Sequence, residues 1–98
     1  MGKRKVTILD TAVNAVAKVS FFIEAKGLPE TAKRFVNDAF AFFDKLADER
    51  IVHRPCTYPA WRKLTYRCTT FRKKYTVAYL EHSTEIIICE FTLAKLLV

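Results

Sequence analysis

Basic and aromatic residues are interleaved in the middle of the sequence, and their side chains are the candidates there for binding or catalysis. Between Arg50 and Leu80 the chain has eight basic residues and no acidic residue. The basic residues are Arg50, Arg54, Arg62, Lys63, Arg67, Arg72, Lys73 and Lys74. The interleaved aromatic residues are Tyr58, Trp61, Tyr66, Phe71 and Tyr75. Cations neutralise phosphates and flat rings stack on bases, so this basic segment favours contact with nucleic acid or with a ribosome.

The net charge leaves other partners open. The formal charge of +7 is large for 98 residues, and such a field attracts nucleic acid, anionic lipid or an acidic protein. An acidic protein partner alone would explain the basic segment. A solvated basic face, with the aromatic residues in the core, is a further alternative.

The residues that usually carry catalysis are too scattered to predict a reaction. Gly2 and Gly27 are the two glycines, so the chain has no phosphate-binding glycine loop. His53 and His82 stand alone, and a lone histidine in a loop is more often solvated than catalytic. We therefore expect no catalytic histidine and no cofactor.

Cysteine spacing gives no metal site. Cys56, Cys68 and Cys89 are odd in number and lack C-x-x-C spacing, and neither histidine lies at ligand spacing from them. We expect three reduced thiols, mostly buried, because a free cysteine behaves as a small hydrophobic residue.

The first half of the chain predicts a strand and two helices. Residues 5 to 9 form the strand, after which Asp10 or Thr11 caps a helix that ends near Gly27. Pro29 opens a second helix that reaches Leu46, and the short link makes an antiparallel hairpin. Apolar residues at helical spacing predict the core-facing stripes. These are Ala12, Ala15, Val16, Val19, Phe22 and Ile23 on the first helix, and Ala32, Phe35, Val36, Ala39, Phe43 and Leu46 on the second.

Phe21, with one of Phe40 and Phe42, is left over once the core stripes are filled. Phe21 lies opposite the stripe of the first helix, and Phe40 and Phe42 flank that of the second. This surplus of apolar surface indicates that part of the hairpin covers a partner.

The second half predicts strands. Ile51 to Arg54 is a possible short strand, 55 to 59 a loop, and Arg62 to Phe71 a strand that turns through Arg72 to Lys74 into a partner strand. A last strand, Glu85 to Thr92, is apolar on both faces and should be central. We expect the three cations of the turn to face a target rather than to serve the fold, since Asn-Gly would suit the backbone better.

The fold class predicted by this order is α+β, as one domain over residues 1–98. A two-helix antiparallel hairpin packs on one face of a three- to five-stranded antiparallel or mixed sheet that includes the N-terminal strand. No apolar run approaches the ~18 residues needed to span a membrane, so we expect a cytoplasmic protein without a membrane partner.

The element order, the junction Gly27-Leu28-Pro29-Glu30-Thr31-Ala32 and the run from Tyr66 to Tyr79 resemble the RelE/ParE toxin superfamily. A Tyr-Arg strand, a polar turn, a strand with Tyr-x-x-x-Tyr and a final apolar strand carry this resemblance. It covers nearly the whole chain. It implies the toxin half of a type II toxin-antitoxin pair, which arrests growth and is neutralised by a cognate antitoxin.

The resemblance leaves the target open between DNA gyrase, as in ParE-like members, and mRNA on the ribosome, as in RelE-like nucleases. This sequence departs from the nuclease pattern at three places. Phe71 and Leu96 stand at arginine positions, and no tyrosine follows Leu96. We therefore expect a ParE-like or otherwise non-nucleolytic toxin. A ribosome-dependent endonuclease, and a degenerate binding module without toxicity, are the alternatives.

The candidate site residues fall into three groups. If the chain were a nuclease, its catalytic residues would be Arg67, Arg72 and Tyr75. The target-binding candidates are Arg54, Arg62, Lys63, Arg67, Arg72, Lys73, Lys74 and Lys95. The candidates for binding an acidic antitoxin are Phe21, Phe40 and Phe42.

Overall fold

The computed structural model describes residues 4–48 and 50–97. Strand β1 (Lys5–Ile8) leads into helices α1 (Asp10–Ala25) and α2 (Pro29–Lys45), followed by a short helix α3 (Pro59–Lys63). Strands β2 (Arg67–Phe71), β3 (Tyr75–Glu81) and β4 (Glu85–Leu93) come next, and a 3₁₀ turn spans Ala94–Leu97. In the described residues no helix is both long enough and apolar enough to cross a bilayer.

The four strands form one mixed sheet in the order β1-β4-β3-β2. β1 runs parallel to β4, whereas β4 with β3 and β3 with β2 are antiparallel. β4 therefore lies inside the sheet, as its apolar sequence predicts. The register between β3 and β4 shifts at Ala78 and Tyr79, so that Ala78 faces Glu90 while Tyr79 faces Ile88. Cys89 is the extra residue of this bulge.

The main core lies between the helix hairpin and one face of the sheet. Phe35 and Phe43 of α2 are buried in one cluster with alternate residues of β3, including Val77 and Tyr79. Gly27 ends α1 with a φ of +83°, a value that glycine adopts without a steric penalty. The predicted α+β fold, with two helices on one face of a mixed sheet, is confirmed.

A second, smaller cluster covers the opposite face of the sheet. Ala78 of β3 packs there against Trp61 of α3 and against Cys56, with Tyr66 at its edge. Cys56 and Cys68 form a disulfide, so the expectation of reduced thiols is wrong for these two residues, and Cys89 is the free cysteine. Two backbone hydrogen bonds, Cys56 N to Tyr66 O and Cys68 N to Arg54 O, bring the paired segments together.

The predictions from sequence are wrong for several short segments and helix ends. Leu9, not Asp10 or Thr11, occupies the N-cap of α1, and no side chain caps it. Residues 51 to 54 form no strand, and β2 begins at Arg67 rather than at 62, because 59–63 are helical. Phe22 is 62% exposed although it falls on the core stripe, because it lies in the last turns of α1.

Candidate functional site

The cations of the basic segment do not gather in one place. Arg54 lies in the loop after α2, while Arg62 and Lys63 lie on α3, and all three side chains are exposed. Arg67 begins β2, and the turn from Arg72 to Lys74 follows its other end. Five residue steps along a strand correspond to about 17 Å, so the fold separates Arg67 from the turn.

Arg67 is engaged in a network along one edge of the core. Its Nη1 donates to the carbonyl of His53 at 2.7 Å, and its Nε lies 3.4 Å from a carboxylate oxygen of Glu81. The other Glu81 oxygen accepts from Arg4 at 3.0 Å. Arg4 also donates to the carbonyls of Ala47 and Asp48. These contacts tie β3 to the segment that follows α2, so the guanidinium of Arg67 already has protein partners.

A histidine–tyrosine pair completes this edge network. His53 Nδ1 lies 2.8 Å from the Tyr79 hydroxyl, with the two rings edge to face. Burial, aided by the charge of Glu81, raises the pKa of Tyr79 to about 12. Burial also lowers the pKa of His53 below its ordinary 6.5. Tyr79 is 1% exposed, so its hydroxyl is a buried, structural partner of His53.

The expectation of a solvated His53 is therefore wrong, since its ring is partly buried against Tyr79. Sequence reasoning missed this pair because 26 residues separate its members. The buried tyrosine of a Tyr-x-x-x-Tyr strand was a signal that a hydroxyl partner was needed. Nothing in the sequence near His53 identified it as that partner.

Stability should rise with pH through the range in which His53 titrates. The folded-state pKa of His53 lies below the unfolded value of 6.5, so the unfolded chain binds more protons at and just below that pH. Lowering the pH from about 7 to about 5.5 should therefore lower the free energy of unfolding. Urea titrations across this range should show a smaller drop for His53→Gln. An NMR titration that placed the His53 pKa above 6.5 would contradict this sign.

Arg72 forms an ion pair with α2. Its Nη2 forms a 2.5 Å ion pair with Asp38, and its guanidinium lies 5.3 Å from the centre of the Phe35 ring and 5.4 Å from that of Phe71. Arg72 therefore serves the fold, contrary to the expectation that all three cations of the turn face a target. Lys73 and Lys74 are exposed, and neither forms an ion pair within residues 4–48 and 50–97.

The turn itself carries strain. Arg72 and Lys73 have φ values of 55° and 58°, and the Lys74 N–H donates to the carbonyl of Phe71. Positive φ at both central residues is the requirement of a type I′ hairpin turn, which Asn-Gly meets best. A side chain with a Cβ costs roughly 1–2 kcal/mol per residue in this left-handed region. The chain therefore keeps cations at positions where the backbone favours other residues.

The candidate nuclease residues are not all brought together, because Arg72 and Tyr75 both contact the Phe35 ring whereas Arg67 lies apart from them. Tyr75 is buried, and its ring stacks on Phe91 with centroids 5.0 Å apart. In the register of β2 with β3, Tyr75 faces Phe71 whereas Arg67 faces Tyr79. Arg67 and Tyr75 are thus about 13 Å apart along the strands. Leu96 is exposed in the C-terminal 3₁₀ turn, beside Lys95.

Two of the three antitoxin-binding candidates line one groove, and Phe21 is the one that is largely exposed, since Phe40 and Phe42 pack against the main core. Phe21, 65% exposed, and Phe40 border a groove of about 230 Å³ between α1 and α2, together with Val13, Val16, Ala17, Ser20 and Val36. We call it the helix groove. Phe42 lies elsewhere, with its ring 5.2 Å from that of Phe71, beside Asp38, Lys45 and Arg72. The structure thus groups Phe21 with Phe40 and separates Phe42 from them.

Comparison with known proteins gives a likeness of fold. No protein-family model matches the sequence, and a search of curated proteins found no match. The structure is similar to a chain of the solved structure described as the chromosomal ParDE TA system from P. aeruginosa, where TA denotes toxin-antitoxin. The TM-score is 0.75 at 16% identity, over 93% of this chain and 96% of that chain. This protein therefore has the ParE-like fold that its sequence resemblance implied.

Proposed function

We propose that this chain is the toxin of a type II toxin-antitoxin pair, acting in the cytoplasm and held inactive by an acidic antitoxin. The observation that carries the proposal is the likeness of fold to a chain of a ParDE toxin-antitoxin system over 93% of the present chain. The formal charge of +7 supports an acidic partner. The exposed apolar helix groove supports a partner that buries Phe21 and Phe40.

The proposed mode of action is ParE-like, directed at DNA gyrase, rather than nucleolytic. Cleavage at a 2′-hydroxyl would need cations that are free to stabilise the developing charge and a group that handles protons. Here Arg67 is paired with Glu81, Arg72 with Asp38, and Tyr75 is stacked in the core. Each candidate nuclease residue thus has another task, which favours poisoning of a protein target over catalysis.

The deciding experiment is induction of this chain alone, followed by co-expression with the adjacent reading frame. We expect growth arrest on induction, relief by the second protein, and accumulation of gyrase-linked DNA breaks. Discrete mRNA cuts within minutes of induction would contradict the ParE-like mode and support the endonuclease alternative. Binding of the second protein without any growth arrest would identify the degenerate, non-toxic module.

The strained turn offers a variant that separates function from stability. Lys73→Gly removes a cation and places glycine at a φ of 58°, so the free energy of unfolding should stay unchanged or rise by up to ~1 kcal/mol. Toxicity should fall sharply, because Lys73 is exposed and, under this proposal, contacts the target. Urea unfolding and a colony-forming assay measure the two effects.

Two further variants are the controls for the turn. Lys33→Gln removes an exposed cation from α2 and should leave toxicity unchanged. Arg72→Gln should lower stability, since it removes the Asp38 ion pair and the contacts with two rings. Changing all three turn cations to Gln combines these effects, so that variant should lose toxicity and some stability together. Full toxicity in Lys73→Gly would mean that the turn is only a solvated tip.

Phe21 tests the antitoxin surface. Phe21→Ala should change stability by less than about 0.5 kcal/mol, because the ring is largely exposed. Antitoxin affinity should fall by roughly 10-fold or more, as expected for an aromatic anchor at the centre of an interface. Val52→Ala, at another exposed apolar residue, is the matched control and should bind normally. Affinity that did not weaken with added salt would contradict the electrostatic part of the proposal.

A further inference from the structure

A second apolar depression lies beside the helix groove, on an adjacent side of α1. It has a volume of about 460 Å³, and its floor is formed by Val19 and Phe22 of α1, Tyr75 of β3 and Leu93 of β4. Its rim carries Lys18, Lys74 and Lys95. We call it the lysine pocket. Its volume is within the range of ~300–1,000 Å³ typical of ligand sites.

Phe22 supplies the exposed apolar surface of this pocket. Its ring is turned to solvent, and the Lys26 ammonium lies 4.4 Å from the ring centroid. Lys26 thus contacts this ring, although it does not line the pocket. A large exposed ring on an otherwise core-facing stripe costs solvation free energy unless something covers it.

The cations around the pocket are free of acidic partners. Arg4, Arg67 and Arg72 each pair with a carboxylate of the chain. In the described part of the chain, Lys18, Lys26, Lys74 and Lys95 form no ion pair, and no acidic residue lines the pocket. The carboxylates that pair with arginines lie elsewhere, and three like charges remain around one apolar floor. Such an arrangement complements a group that is apolar in the middle and negative at its edges.

We infer that the lysine pocket binds an acidic polypeptide segment in which a large apolar side chain is flanked by carboxylates. The apolar side chain lies on Phe22 and Leu93, and the flanking carboxylates bind the lysines of the rim. The inference rests on the proposed function, since the segment belongs to the antitoxin. It adds a second anchoring site, distinct from the helix groove, and states the sequence pattern that fits it.

The position of the two depressions favours a polypeptide over a small anion. Ala17 and Phe21 line the helix groove, whereas Lys18 and Phe22 line the lysine pocket. Neighbouring residues on a helix are ~100° apart, so the two sites lie on adjacent sides of the same turns of α1. One segment crossing α1 covers both sites and binds each at the effective concentration that the other creates. A small anion reaches one site alone.

A synthetic peptide tests the pocket with the purified chain. The probe is a capped, fluorescent peptide with one Phe flanked on each side by two Glu, and its affinity is measured by anisotropy. Lys18→Gln with Lys95→Gln should weaken binding at least ~10-fold, because two charge-assisted contacts are lost. Lys33→Gln with Lys63→Gln removes the same net charge from other surfaces. This control should weaken peptide binding less than ~3-fold. Replacing the peptide's Phe with Gly should also cost ~10-fold.

Three results would overturn the inference. Equal weakening by the two double variants would mean that the peptide responds to net charge alone. Unchanged binding of the peptide without Phe would mean that the apolar floor is not used. A wild-type chain that self-associates in ultracentrifugation, with Phe22→Ala monomeric, would assign the pocket to a second copy of the chain.

A cellular readout separates this inference from the proposed function. If induction of the chain causes no growth arrest, the toxin proposal fails whatever the peptide binds. The cellular test uses Lys18→Gln, with Lys33→Gln as the control variant, because neither lysine is a target-binding candidate. If the antitoxin relieves arrest by Lys18→Gln as well as it relieves arrest by the control variant, the pocket is not an antitoxin anchor. In that case the toxin proposal still stands. Relief of the control variant alone supports both.

Discussion

Phe35→Ala is expected to lower the free energy of unfolding by about 3–5 kcal/mol, the range for truncating a buried phenylalanine. Phe35 is 1% exposed, and its ring makes edge contacts with Phe71, Tyr75 and Phe91 at centroid distances of 5.9, 5.5 and 6.1 Å. It also supports the guanidinium of Arg72. Because a domain is stable by only ~5–15 kcal/mol, this loss is a large part of the total stability. Urea unfolding followed by circular dichroism measures the loss.

Phe22→Ala is the matched control for that variant. It removes the same atoms from the same helix hairpin, but the Phe22 ring is exposed, so the loss should be under ~1 kcal/mol. Similar losses of unfolding free energy in the two variants would mean that the Phe22 ring packs on the sheet and is not exposed.

Removing the disulfide is expected to cost about 3 kcal/mol. Cys56 and Cys68 are separated by 12 residues, and a closed loop of this size restricts the unfolded chain by roughly that amount. The variant with both cysteines changed to Ser should therefore unfold at lower urea. Wild-type protein in dithiothreitol should behave in the same way as the variant.

Cys89→Ser distinguishes the effect of losing the disulfide from the effect of replacing any cysteine. It leaves the Cys56–Cys68 bond intact, and its stability should not depend on reductant. If the wild type were equally stable with and without dithiothreitol, the disulfide would contribute nothing to the free energy of unfolding. The packing of Trp61 and the two backbone hydrogen bonds would then be enough to hold the two segments together.

The disulfide also bears on where the protein acts. Disulfides are rare in a reducing cytoplasm, so the Cys56–Cys68 bond conflicts with the proposed cytoplasmic location unless the pair is reduced in the cell. The bridged segments would then rely on the Cys56 to Tyr66 and Cys68 to Arg54 backbone bonds and on Trp61. Thiol labelling of protein trapped in acid from living cells would measure the redox state directly.

The main elements could be predicted because their patterns are long. The helix stripes through Phe35 and Phe43 repeat over several turns, and the apolar run of β4 is too continuous for a strand with one solvated face. Helix α3 was missed because its five residues are too few to show a helical period, and Pro55 and Pro59 indicated a loop instead.

The candidate site could be predicted less well, for a physical reason. Charge counts locate cations along the chain, but whether a cation is free depends on which carboxylate the fold brings to it. Arg72 meets Asp38 of α2, and Arg67 meets Glu81 across the sheet, pairings set by topology. Periodicity likewise assigned Phe22 to the core, because it states which side of α1 a residue occupies and not where the sheet beneath it ends.

The parallel pairing of β1 with β4 sets an order of events during synthesis. Thr7 of β1 bonds to Glu85 of β4, 78 residues later, so the sheet cannot be completed until β4 has left the ribosome. At ~5–20 residues per second, the α1–α2 hairpin is exposed for roughly 2–8 seconds before β4 can cover it. In that interval the apolar stripe is open to chaperones and, under the proposed function, to any antitoxin already present. If the chain is a toxin, the supply of antitoxin at the moment of translation, and not only its affinity, would then determine how much active toxin forms.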